Sequence, residues 1–181
     1  FNQLDLPLRG YYQQQNLPGV LMTIDVLRGE GWRITREQVE HGLVNVVQQT
    51  KLKGRWQKLQ SKPLIVCDTG HNVEGIAVLL KQIKAQSYRH LHMVWGVVRD
   101  KDISGMLALL PPDASYYFCQ AAIPRAMDAN QLFEVAQRIG LHGEVIPDVN
   151  QALNRAKEKA TEDDFIFIGG STFVVAEIEG L

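Results

Sequence analysis

From Pro63 onward, apolar positions follow two alternating rhythms. Short runs are apolar on successive residues: "LIVCD", "LHMVWGVV", "ASYYFCQA", "GEVI" and "DFIFIGG". Between them lie "VEGIAVLLKQIKAQ", "ISGMLALL", "ANQLFEVAQRIG" and "VNQALNRAKEKA", whose apolar residues recur at helical intervals. Continuous apolar runs rich in β-branched and aromatic residues predict strands covered on both faces, and the longer spacing predicts helices. Alternation of the two implies right-handed crossovers within one layered domain. The expected fold class is α/β, with a doubly wound, mostly parallel sheet over residues 63–181. The tail "STFVVAEI" is expected to add an edge strand.

Residues 1–53 break this rhythm. "QQQNLPGVLMTIDVLRGEGW" and "TREQVEHGLVNVVQQ" each predict one helix, the second with Thr35 as N-cap and Gln38 at the capping-box position. Pro18 and Gly19 weaken the first, although proline is tolerated in a first turn. Two short helices cannot build a core of their own, so they are expected to belong to a further domain. "KLKGRWQKLQSK" predicts a polar connector, with residues 54–62 joining the two parts. The first residue is Phe1, and "FNQLDLPLRG" reads like the interior of a longer protein, so a fragment is expected.

Composition narrows the class without naming a chemistry. The 181 residues are 45% hydrophobic and 22% charged, with a net charge of -1. That balance fits a globular chain large enough to bury a core, and it gives no reason to expect nucleic acid or an anionic membrane as partner. No run reaches the roughly 18 apolar residues of a membrane span. Cys67 and Cys119 lie in strand-like runs and read as reduced core thiols, consistent with a cytoplasmic protein. There is no G-x-x-x-x-G-K-[ST] phosphate loop, no G-x-G-x-x-G, no G-x-S-x-G and no zinc spacing.

Candidate chemistry gathers at the strand ends, because open parallel sheets bind ligands outside their carboxyl edge. After the first strand come Asp68, Thr69, Gly70, His71 and Asn72. Asp68 can accept two hydroxyls, as a ribose presents them, or it can cap the next helix. His71 can orient a ligand or sit tied to a backbone carbonyl. Asn72 reads as an N-cap, and Gly70 as a position where a side chain would strain the backbone. Lys101 follows the second strand among mixed charges, and Ser171 sits in a glycine-rich turn where serine also serves conformation alone.

Four motifs in order carry a resemblance: "GYYQQQN" (10–16), "GRWQ" (54–57), "DTGHNVEGIAVLL" (68–80) and "GGSTFVVAEI" (169–178). With "GVVRDKD" (96–102), they resemble the C-terminal part of the folylpolyglutamate synthase/dihydrofolate synthase family, within the Mur ligase superfamily. The resemblance implies a Rossmann-like C-terminal domain, and assigns residues 1–53 to the last helices of an ATPase domain outside this chain. It implies an ATP-dependent ligase of folate biosynthesis that adds L-glutamate to folate or dihydropteroate through an acyl phosphate. Asn16, Arg55 and Asp68 would bind nucleotide; His71, Lys101 and Ser171 would bind glutamate. Mg2+ would be held mainly by the N-terminal ATPase domain, the chain's expected partner. No catalytic group or metal ligand is assigned to this chain, and the chain alone is expected to be inactive. It departs from the family at Lys53, Val73, Thr172 and Phe173, where the usual residues are proline, proline, leucine and tyrosine. A peptidoglycan-precursor Mur ligase and a non-catalytic flavodoxin-like binding module stay open as alternatives.

Overall fold

The computed structural model describes residues 5–181, so Phe1 to Leu4 of the predicted N-terminal segment lie outside the described residues. A six-stranded sheet runs in the order β1-β2-β6-β3-β4-β5. Its strands are β1 (Gln57–Ser61), β2 (Leu64–Cys67), β3 (Leu91–Trp95), β4 (Ser115–Phe118), β5 (Gly143–Val145) and β6 (Phe165–Gly169). β1 pairs antiparallel with β2, and the other neighbours are parallel.

The period-two geometry of a strand sends neighbouring side chains to opposite faces, so an all-apolar strand needs two cores. One core joins Val66, Met93, Trp95, Phe118 and Phe167 to α4 (Val73–Lys84), α5 (Ile103–Leu107) and α6 (Ala129–Arg138). The other joins Ile65, Val94, Tyr117 and Ile168 to α7 (Val149–Lys159) and α8 (Thr172–Ala176). The predicted doubly wound α/β layering is what the chain adopts. Cys67 and Cys119 are buried free thiols within the second core.

Three expectations are corrected. The tail after residue 170 is the helix α8, not an edge strand. Gly170 at φ 89° turns the chain out of the sheet, Ser171 caps the helix, and Val174 and Val175 are both buried in the second core. The edge beside β2 is instead closed by β1, within the segment expected to be a mere connector. Its polar sequence suits an edge strand largely open to water. The single helix expected over 35–49 is two, α2 (Arg36–Val44) and α3 (Val46–Thr50), broken at Asn45. Its capping box is present: Gln38 N donates to Thr35 Oγ1 at 3.2 Å and Thr35 N to Gln38 Oε1 at 2.9 Å. The first helix, α1 (Gln13–Gly29), carries Pro18 in its second turn rather than its first and buries none of its side chains.

Candidate functional site

Because β2, β6 and β3 run parallel, their carboxyl ends share one rim. The chain leaves β2 into α4 and β3 into α5 on one face, whereas it leaves β6 into α8 on the other. The chain direction therefore reverses face between β2 and β6, the kind of switch point at which α/β sheets place ligands. At the β2 side a cleft of about 370 Å3 is lined by Tyr12, Asn16, Arg55, Asp68, His71 and Thr172, with the turn between Asp68 and His71 as its floor.

Asp68 follows β2 and is 2% exposed. Its Oδ2 accepts from Tyr12 Oη at 2.7 Å and from Trp56 N at 2.6 Å, while Oδ1 accepts from Gly70 N at 2.8 Å. Burial pushes its carboxyl above the usual range, and these donors together with the Arg55 guanidinium work against that. The Tyr12 phenol is raised by burial and by the neighbouring carboxylate, so it stays a protonated donor.

Arg55 donates through Nη1 to Thr69 Oγ1 and sits half-buried at the cleft wall. Gly54 before it adopts φ 68°, and a Cβ there would meet Thr69 Cγ2 at 2.6 Å and Val175 Cγ1 at 2.8 Å. Only glycine fits so close a backbone approach in that conformation. Gly70 is needed for space instead of for backbone conformation: its added Cβ would lie 2.4 Å from Leu79 Cδ1. His71 Nδ1 lies 3.0 Å from Thr69 O. A carbonyl only accepts, so Nδ1 carries the hydrogen and Nε2 is left as an acceptor. Asn72 caps α4, accepting from Gly75 N at 2.8 Å, as the sequence predicts.

The structure thus brings Asn16, Arg55, Asp68 and His71 around one cleft. Lys101 and Ser171 do not line it. Ser171 is 2% exposed, beyond β6, where its hydroxyl accepts from Phe173 N at 3.2 Å. Lys101 sits half-buried in the turn after β3. A neighbouring cleft of about 450 Å3 shares Arg55 but is otherwise walled by Leu8, Trp56, Lys58 and Leu64, without the strand-end groups. Tyr12 and Thr69 are the site residues that sequence reading passed over. Tyr12 lies within a quoted motif, yet nothing local shows that it reaches a residue 56 positions away. Among the described residues no three His, Cys, Asp or Glu side chains are placed to hold a metal ion, and no helix is long and apolar enough to cross a membrane.

Comparison with known proteins places this geometry. The Mur ligase, glutamate ligase domain matches residues 54–172. A probable bifunctional folylpolyglutamate synthase/dihydropteroate synthase of Haloferax volcanii is 33% identical over 173 residues, 95% of this chain and 20% of that protein. E. coli FolC in complex with DHPP and ADP superposes with a TM-score of 0.77 at 26% identity, covering 97% of this chain and 40% of that one. A bifunctional folylpolyglutamate synthase/dihydrofolate synthase with Mn, AMPPNP and L-glutamate bound gives a TM-score of 0.69 at 29% identity, covering 84% and 36%. The chain therefore spans between 20% and 40% of the length of these relatives. The match runs from Gly54, beside the cleft arginine, to Thr172, which also lines the cleft, and it takes in the whole sheet. The chain belongs to the Mur ligase family, as its glutamate ligase domain.

Proposed function

We propose that this chain is the amino-acid-binding part of an ATP-dependent ligase that joins L-glutamate to the carboxylate of a folate or of dihydropteroate. The observation that carries the reading is the meeting of Asn16, Arg55, Asp68 and His71, from three separate segments, at the β2 side of β6. Relatives solved with ADP, and with AMPPNP and L-glutamate, support the two ligand classes.

In such a ligase the substrate carboxylate attacks the γ-phosphorus of ATP, and ADP leaves. The glutamate amine then attacks the acyl carbon, phosphate departs with the C–O electron pair, and the nitrogen gives up its proton. This chain's contribution is placement, which can supply much of the rate when amine and acyl phosphate are held in line. Arg55 offers a permanently charged fork to phosphate oxygens, and Asn16 an amide to the nucleotide. Asp68 belongs to the same nucleotide side. His71 Nε2 can accept from the incoming amine. Lys101, in the turn after β3, and Ser171, at the start of α8, would receive the glutamate carboxylate. The divalent ion that accompanies ATP would take most of its ligands from the phosphates, water and an ATPase domain of the same cytoplasmic enzyme.

The test is ADP release by the full-length ligase, with and without a pteridine acid and with and without L-glutamate. Release should need both, and His71→Ala should raise the KM for glutamate about tenfold, the scale of one hydrogen bond to a charged group. Release only with a UDP-linked peptide overturns the folate assignment. No release with either overturns the ligase reading.

A further inference from the structure

Local chemistry does not fix where α1 begins. Its N-cap position is Tyr12, which makes no side-chain capping bond, and its first turn carries no acid. Helix starts are usually held by a Ser, Thr, Asp or Asn side chain, or favoured by an early carboxylate. Packing along the helix does not hold it either, since α1 buries none of its side chains. The Tyr12 ring rests against the first core, an apolar contact without direction. Among the described residues, three hydrogen bonds join residues 5–50 to residues 54–181. One is the bond from Tyr12 Oη to Asp68, and the other two both belong to Gln82.

Gln82 is 3% exposed on α4, and it is not among the residues that line the cleft. Its Oε1 accepts from Tyr11 N at 2.8 Å and its Nε2 donates to Arg9 O at 2.9 Å. A planar amide presents an acceptor and a donor side by side, and the backbone on either side of Gly10 presents their complements. Such a match fixes the chain in direction and in register, which a single bond cannot do. The grip passes directly into the helix. Gly10 O accepts from Gln13 N at 2.9 Å, and Tyr12 O accepts from Asn16 N at 3.1 Å.

The other end of α4 is tied to the cleft. Asn72 caps the helix directly after His71, and Leu79, three residues before Gln82 and so on the same side of α4, lies against Gly70. From Val73 to Gln82 the helix rises about 14 Å, at 1.5 Å per residue. α4 is thus a spacer between the turn that bears His71 and the segment that leads to Asn16. We infer that Gln82 is a positioning residue for the proposed ligase reaction: its buried amide sets the start of α1 and so holds Asn16 in place across the cleft from Arg55, a role that rests on the nucleotide reading of Asn16 given above.

The test uses the full-length ligase with Gln82→Met and Gln82→Leu, which keep the helix and most of the volume but remove both bonds. Each should raise the KM for ATP about five- to tenfold, the scale of one hydrogen bond, and leave kcat and the KM for L-glutamate within about twofold. A double-mutant cycle with Asn16→Ala decides the route. If Gln82 acts through Asn16, adding Gln82→Met to Asn16→Ala should raise the ATP KM by no more than about twofold further. Full multiplication of the two losses overturns the inference and leaves the reading of Asn16 standing; an ATP KM unmoved by both Gln82 variants does the same. If Asn16→Ala itself leaves the ATP KM unchanged, the nucleotide reading fails and takes the inference with it. Amide hydrogen exchange without ligand adds a check independent of activity. Residues 11–17 should exchange faster in both variants, while residues 64–67 and 165–169 keep wild-type protection. An equal rise in the strands marks a general loss of stability and overturns the placement.

Discussion

His92, 3% exposed near the amino end of the inner strand β3 and so away from the cleft, shows how one buried residue can govern pH response. Its Nδ1 lies 3.1 Å from Tyr117 Oη, its Nε2 3.7 Å from Asp164 Oδ2, and its ring 4.9 Å from that of His90. Burial first, and His90 second, push the imidazole below its ordinary value, against the pull of Asp164. Burial also pushes Asp164 up, but the Thr161 N–H at 2.6 Å and O–H at 2.9 Å outweigh it and bring the carboxyl below its usual range. With His92 neutral, Thr161 rather than the imidazole holds Asp164 down. The sign follows directly. In the unfolded chain His92 takes up a proton near pH 6.5, whereas the folded chain resists until lower pH, so the unfolded state binds more protons in between. The stability contributed by neutral His92 is whole above about pH 6.5 and is lost as pH falls below it, by at most about 1.4 kcal/mol per pH unit. Urea midpoints at pH 7.5 and 5.5 should fall further apart in wild type than in His92→Gln; equal differences would remove His92 as the cause.

At the scale of elements, α8 separates what a sequence reveals from what it conceals. Its apolar residues suit a strand or a short helix, and local composition favoured the strand. The outcome was decided by Gly170 at φ 89° and by the place Val174 and Val175 find in the second core, facts about backbone and neighbours that no single segment carries. β1 was hidden for the converse reason: an edge strand open to water looks polar, like a linker. The inner strands were legible because burial on both faces leaves an unbroken apolar run, and the caps at Thr35 and Asn72 because their chemistry is local. The cleft was legible only in part. Asp68 and His71 stand in one motif, but Tyr12 reaches Asp68 through tertiary folding alone. Ser171 can be tested at this same scale. As the cap of α8, Ser171→Ala should cost about 1 kcal/mol in urea unfolding. If its hydroxyl also receives glutamate, the full ligase should show a raised glutamate KM with ATP KM unchanged. A stability loss with both KM values unmoved leaves the cap as its whole role.

For the molecule as a whole, the order of strands divides the labour. β6 lies between β2 and β3 and leaves to the opposite face, and the cleft opens on its β2 side. The β2 crevice holds the arginine, the carboxylate and the imidazole. Ser171 caps α8 just beyond β6, and Lys101 sits in the turn after β3; the proposed reading has nucleotide and amino acid meet around this one strand end. On the proposed reading these walls orient a nucleotide, but the chain's sequence has no glycine-rich phosphate loop with its lysine to cradle the β- and γ-phosphates. Orientation accelerates only a step whose reactants are both delivered, and the acyl phosphate must be formed before an amine can use it. The 181-residue chain alone is therefore expected to release no ADP from ATP, with or without L-glutamate, in a coupled assay sensitive to slow turnover. Joined to a domain that supplies the phosphate loop, it should gain that turnover, and Arg55→Ala should lower kcat/KM for ATP by about tenfold or more, the scale of a lost charge-assisted contact. Sustained ADP release by the chain alone would defeat the division of labour. Release by the joined protein that is indifferent to Arg55→Ala would remove the guanidinium from the nucleotide side of the cleft.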